Sequence, residues 1–442
     1  MTASLVQIAL FLILAIACVV LLTTRYQVHA FFALLFACAL VGLGTGMPAS
    51  QILAVAKHGF GGIMQSLGLI IVLGTTLGIL LEHTGATRVM ARFMLQRTGE
   101  RRAPLAMALT GLVVGLPIFC DSGYIVLSGL NNSLSRRTGI SVVIMATSLA
   151  TGLYAVHCLV PPHPGATAAT ATLGAPLGRV LAEGTLCAIP AMLTGYGWAR
   201  YAGNRVPCVL PPAREPATEL TRLPSVWQAF LPIIVPIVLI ALRSLFTLGG
   251  WGTSWPGRLL DFLGDPETAL AAGILLAFVG GTNWQRRQVG ELLQGAAERA
   301  GGILVIIGAG GSFGALLAAT NLGEHLGKGS PLASLGLLFP FLVAALLKTA
   351  QGSSTVAIIT ASSIVQPLLP GLGLDNPEGR VLAVLSLGAG SMLMSHANDA
   401  YFWVVARFSG MDTRSMLRVY TVATALMGCT TLAVVWLLSR LV

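Results

Sequence analysis

Charge is scarce in this chain. Only 10% of its 442 residues are Asp, Glu, Lys or Arg, against about a quarter in an ordinary soluble domain. That shortage excludes two or three water-soluble domains, and it excludes a disordered chain. No two of the seven cysteines form a C-x-x-C pair, and most lie inside apolar runs (Cys18, Cys38, Cys120, Cys158, Cys187, Cys208, Cys429). They read as small buried hydrophobes rather than as disulfide, redox or metal ligands. H-E-x-x-H and any nucleophile spaced to pair with a base are also missing, which argues against an intramembrane hydrolase.

What remains is apolar. Hydrophobic residues make up 55% of the chain, enough for about ten to twelve bilayer crossings at about 20 residues each. The net charge of +10 marks no nucleic-acid partner, because no segment concentrates basic residues among aromatics. In a membrane chain those arginines mark cytoplasmic loops. Leu5 to Leu22 has no basic residue before it and no small-residue cleavage site close behind, so it reads as a retained first span.

Twelve long apolar runs follow one another, and four are unusual. Residues 103–130, 141–173, 331–370 and 381–406 are too long for one simple span or carry Pro, Gly and polar residues in the middle. Irregular backbone at membrane depth is tolerated where it lines a wet cavity, so these interruptions point to a site. Arg88, Arg92, Arg97, Arg101 and Arg102 before 103–130, and Arg136 and Arg137 after it, place both of its ends in the cytoplasm. This is expected of a re-entrant hairpin turning near Pro117 to Gly123. Continuing the alternation puts Arg200 to Arg222, then Arg286 and Arg287, then Arg407, Arg414 and Arg418 inside. Glu324, Asp375 and Glu378 around 331–370 fall outside.

The stretch G-T-T-L-G-I-L-L at 74–81 recurs as G-G-S-F-G-A-L-L at 310–317, each followed by a hairpin-like run and then a broken run holding His157 or His396. The expected architecture is an all-α polytopic membrane protein of two inverted-topology repeats, with about 10 transmembrane helices plus two re-entrant hairpins and broken helices at the site. Residues 1–202 form the first repeat, 203–226 a Pro-rich cytoplasmic linker, and 227–442 the second repeat.

Acidic groups are expensive in lipid, so those within apolar runs are functional candidates. Glu183 has Arg179 one helical turn away and reads as a peripheral ion pair. Asp121 and Asp399 have no such neighbour in the sequence. Asp121 and Ser122 sit in G-L-P-I-F-C-D-S-G-Y (115–124), where Pro117 and Gly123 are the expected breakers. A desolvated carboxylate there is suited to proton exchange, or to capping a broken helix. In K-T-A-Q-G-S-S-T-V-A (348–357), Gln351 and Gly352 precede a helix start at Ser353, Ser354 and Thr355. That start suits a substrate carboxylate or is a plain cap. Lys348 either adds charge there or neutralises a buried aspartate.

H-C-L-V-P-P-H-P-G-A-T (157–167) cannot be continuous helix. It offers His157, His163, Gly165 and Thr167 to a polyol or to a proton relay, with His157 equally suited to a structural role. No adjacent cysteine or carboxylate completes a zinc site, and no cofactor is expected. S-H-A-N-D-A-Y-F-W (395–403) brings Ser395, His396, Asn398 and Asp399 together for a hydroxylated ligand and one proton.

At these residues the chain resembles the gluconate permease family, the gluconate:proton symporters of the ion-transporter superfamily. G-F-G-G-I-M-Q-S-L-G-L-I-I-V-L-G (59–74), G-E-R-R-A-P-L-A-M-A-L-T-G (99–111), P-P-H-P-G (161–165) and A-Q-G-S-S-T-V-A (350–357) carry the resemblance together with 395–403. It implies a proton-coupled importer of gluconate or a related sugar acid in the cytoplasmic membrane, with both hairpins meeting at the substrate. A homodimer is expected by analogy with elevator-type relatives. Asp121, Asp399 and His157 are then the coupling candidates and Lys348 the charge-balancing one. The hairpin Phe119-Cys120-Asp121-Ser122-Gly123 departs from the family's Phe-Phe-Asp/Glu-Val-Gly, and Lys348 stands where arginine is usual. The nearest rival is a D-serine carrier. A channel, lacking uphill flux, is the alternative outside the class.

Overall fold

The computed structural model describes residues 5–206, 223–248, 255–281, 284–320 and 334–441. Most of the expected linker 203–226, the expected outer flank around Glu324 and the first residues of run 331–370 lie outside them. The first half comprises α1 (Leu5–Thr24), α2 (Ala30–Gly44), α3 (Ala49–His83), α4 (Ala86–Thr98), α5 (Ala103–Val114), α6 (Cys120–Thr138), α7 (Val142–Leu159), α8 (Pro164–Thr172) and α9 (Leu177–Gly203). The second comprises α10 (Val226–Leu248), α11 (Trp255–Leu263), α12 (Pro266–Gly280), α13 (Arg286–Ala319), α14 (Leu338–Gln351), α15 (Ser354–Val365), α16 (Pro377–Met392), α17 (Ala400–Ser409) and α18 (Val422–Leu438). Among the described residues eight helices are long and apolar enough to cross a membrane, or nine if the bent pair α11–α12 is one span. Helices α2 and α14 are shorter apolar ones.

The breaks follow from residue chemistry. α7 ends at Leu159, and α8 restarts at Pro164, whose missing N–H costs nothing in a first helical turn. Gly352 closes α14 in the left-handed region at φ +82°, which a side chain disfavours. The Ser353 hydroxyl then accepts from the Val356 N–H to cap α15. Asp399 caps α17, its Oδ1 accepting from the Tyr401 N–H at 3.0 Å. In the first hairpin the interruption spans residues 115–119. Gly123, expected as a breaker, lies inside α6, where a Cβ would press on Leu153. Its small size serves packing against α7.

The ends of this hairpin are brought together, because Glu100 before α5 pairs with Arg137 at the end of α6. α14 and α15 pack on each other on either side of Gly352. Packing is duplicated between the halves. α5 lies on α7 as α14 lies on α16, α7 on α9 as α16 on α18, and α6 on α17 as α15 on α8. The similar stretches 74–81 and 310–317 fall on α3 and α13, which run side by side. Glycines allow these approaches: a Cβ at Gly152 would strike the Ala108 carbonyl, and one at Gly390 the Phe341 carbonyl. Every residue of α7, and of α8 as far as Thr170, is buried, so the first break sits in the interior of the protein.

Candidate functional site

Both hairpin turns and both helix breaks converge on one cavity of about 470 Å³. Phe119, Cys120 and Asp121 enter from the first hairpin, and Gln351 to Val356 from the second. The first break supplies His157 and Pro164, the second Asn398, Asp399 and Tyr401, and α13 closes a side with Ile303 and Ile306. Segments scattered from 119 to 401 in sequence therefore share a single wall.

The expected site residues divide by what they touch. Asp121, His157, Gln351, Gly352, Ser353, Ser354, Thr355, Asn398 and Asp399 line the cavity. Ser122, His163, Gly165, Thr167, Lys348 and His396 stand behind it. The His163 Nε2 lies 2.5 Å from the Gly115 carbonyl oxygen, tying the first break to the first hairpin. Thr167 donates to the His163 carbonyl at 2.7 Å, and Gly165 leaves room for the Thr355 backbone and Ile358. The His396 Nε2 lies 3.2 Å from the Thr349 carbonyl.

Asp399 is not isolated. Lys348, wholly buried, places its Nζ 2.6 Å from the Asp399 Oδ2 and also donates to the Gly352 carbonyl. The Ser395 hydroxyl donates to the same carboxylate oxygen. Lys348 and Asp399 lie 51 residues apart, beyond any single helical turn, and the fold shows which of its two expected roles the lysine takes. A buried charge pair is tolerable when both members are also hydrogen-bonded, as here. Among the described residues Asp121 forms no ion pair, and the Cys120 thiol lies 3.9 Å from its Oδ1. Two other polar groups at the cavity have unused capacity, the Nδ1 of His157 and both ends of the Gln351 amide. The His157 Nε2 is 3.3 Å from the Thr355 hydroxyl, joining the first break to the second hairpin.

Several contributors carried no sequence signal of their own. Tyr401 stacks on Tyr154 with ring centroids 5.7 Å apart, and its hydroxyl donates to the Ala150 carbonyl. Tyr154 donates to the Ser391 carbonyl at 3.1 Å and lies under the Lys348 ammonium. These rings line the floor of the cavity, with their polar ends satisfied by backbone. The position of Tyr401 two residues after Asp399 was the available clue.

The sequence profile of the GntP family permeases matches residues 7–442. A gluconate permease of Pseudomonas aeruginosa is 34% identical over 438 residues, covering 95% of each chain. The D-serine transporter DsdX of Escherichia coli O6:H1 is 32% identical over 98% of each chain. A low-affinity gluconate transporter of Escherichia coli K12 is 32% identical over 92% of each. Among solved structures, the YdaH transporter of Alcanivorax borkumensis, described as having an unusual topology, superposes with a TM-score of 0.57. It covers 92% of this chain and 96% of its own at 15% identity, a likeness of fold. The chain is a multi-pass membrane permease, not an enzyme, and it belongs to the GntP family.

Proposed function

We propose that this permease is a secondary active transporter that carries gluconate or a related hydroxylated organic acid across the cell's inner membrane into the cytoplasm, together with a proton. The observation that carries the proposal is the cavity itself. One carboxylate with no ion pair among the described residues, Asp121, shares the cavity with a Gln351 amide that has no hydrogen bond among them and with a hydroxyl-rich helix start at Ser353 to Thr355. Hydroxyls and amides suit a polyol chain, and the dipole of the helix start favours an anionic substrate in the cavity. An anion entering a negative-inside cell is opposed by about 2.3 kcal/mol per charge per 100 mV, which a co-transported proton offsets. Asp121 is the coupling group in this proposal, because Asp399 is already neutralised by Lys348. The halves 1–202 and 227–442, joined by a cytoplasmic linker at 203–226, act as inverted repeats. The duplicated packing supports that arrangement.

Uptake into proteoliposomes under an imposed pH gradient tests the proposal, with gluconate, other aldonates, glycerate and D-serine as substrates. Accumulation of a sugar acid that collapses with the gradient is the expected result; flux that never runs uphill would mark a channel. D-serine is the second reading. A relative of that name is 32% identical, and Asp121 could hold an ammonium as readily as a proton. Preferential competition by D-serine over every aldonate would select it.

A further inference from the structure

Lys348, four residues before the turn that leads into the helix start facing the cavity, is committed to Asp399 and the Gly352 carbonyl. A carboxylate substrate therefore needs another positive group. α13 presents Ile303 and Ile306 to the cavity, and Arg299 precedes them by four and seven residues, which puts all three on one face of the helix. The Arg299 side chain is exposed, and its Nη1 donates to the Ser122 hydroxyl at 3.2 Å, one residue from Asp121. Glu82 is near enough for its charge to be felt, yet among the described residues no carboxylate forms an ion pair with Arg299.

We propose that Arg299 is the carboxylate-recognising residue of this permease: its guanidinium exchanges the Ser122 hydroxyl for the carboxylate of the incoming organic anion. This rests on the transport reading above. A guanidinium is the side chain suited to a two-point grip on a carboxylate, and only one of its donors is used by Ser122. One anion entering with one proton leaves the net charge of the site, Glu82 included, unchanged. The bond to Ser122 also means that capture of the anion releases the first hairpin's tip from α13, so binding and hairpin movement are joined at one side chain.

The test uses the full-length chain in proteoliposomes, with gluconate as substrate and gluconamide, its uncharged amide, as competitor. R299Q is expected to raise the gluconate KM at least tenfold with kcat changed less than threefold, while inhibition by gluconamide stays within twofold; R299K falls between. A gluconate KM within twofold of wild type overturns the proposal, as does an equal loss for gluconate and gluconamide, which a merely structural role would give. Should R299Q fail to fold, R299K decides by the same two ratios. Wild-type protein that moves no sugar acid overturns the transport reading and this inference with it; wild-type uptake with an unaffected R299Q overturns this inference alone.

Discussion

Removing one member of the Lys348–Asp399 pair should cost far more than removing both. Lys348 is fully buried and the Asp399 side chain is 8% exposed, so neither charge can turn to water. Breaking such a pair costs about 3–5 kcal/mol, whereas replacing both members is often neutral. The stranded group can also escape by changing its protonation, and this sets a ceiling. Protonating an ordinary carboxyl at pH 7 costs about 4 kcal/mol, and deprotonating an ordinary ammonium about 5 kcal/mol. K348M should therefore regain stability as the pH falls, since a neutral carboxyl is then easier to form. D399N should regain it as the pH rises. Each limb has a slope of up to about 1.4 kcal/mol per pH unit. The assay is thermal unfolding of detergent-purified protein between pH 5 and 9, with K348M/D399N closing the cycle. Singles as stable as the wild type, or two singles with the same pH slope, would refute the reasoning.

Three further outcomes follow from the same geometry. G352A should lose stability and substrate-induced thermal protection, because a left-handed alanine costs about 1–2 kcal/mol before its Cβ meets the Asn398 carbonyl. D121N should equilibrate substrate without accumulating it, whereas the wild type should concentrate a substrate about tenfold per pH unit for each coupled proton; labelled uptake under a pH step measures this. Arg179, whose Nη1 lies 2.7 Å from Glu378 and whose Nη2 lies 3.2 Å from Glu183, joins the two halves at a partly exposed position. R179A should cost no more than about 1 kcal/mol, read as a small change in the unfolding midpoint.

Local chemistry was legible in the sequence and long-range partnership was not. The prolines around His163 and the Gly352-Ser353 step dictate helix breaks by sterics and capping alone, and the breaks lie where those residues stand. Polar side chains stranded in apolar runs marked the cavity for the same reason, since lipid penalises them. Glycine serves as breaker or as spacer, and only the approach of Leu153 shows which applies at Gly123. Lys348 and Asp399 each look unpaired within a helical turn; their meeting depends on how α14 folds back beside the second break. Nothing in the sequence around Arg299 singles it out, and the role proposed for it rests on a bond to a residue 177 positions earlier.

One feature of the cavity bears on how the protein can open. The second hairpin is bound to the second break by the Lys348 bonds to Asp399 and, across its own turn, to the Gly352 carbonyl. The Asn398 amide donates to the Thr349 and Ala350 carbonyls, and the His396 ring lies against the Thr349 carbonyl. The tip of the first hairpin is held by the Arg299 bond to Ser122, by the His163 ring against the Gly115 carbonyl, and by the ring contacts of Phe119 with His157 and His163. The cavity thus has one jaw braced by a buried ion pair and one held by hydrogen bonds and ring contacts. A substrate that leaves past the first hairpin breaks single hydrogen bonds, and one that leaves past the second must also unpick a buried electrostatic knot.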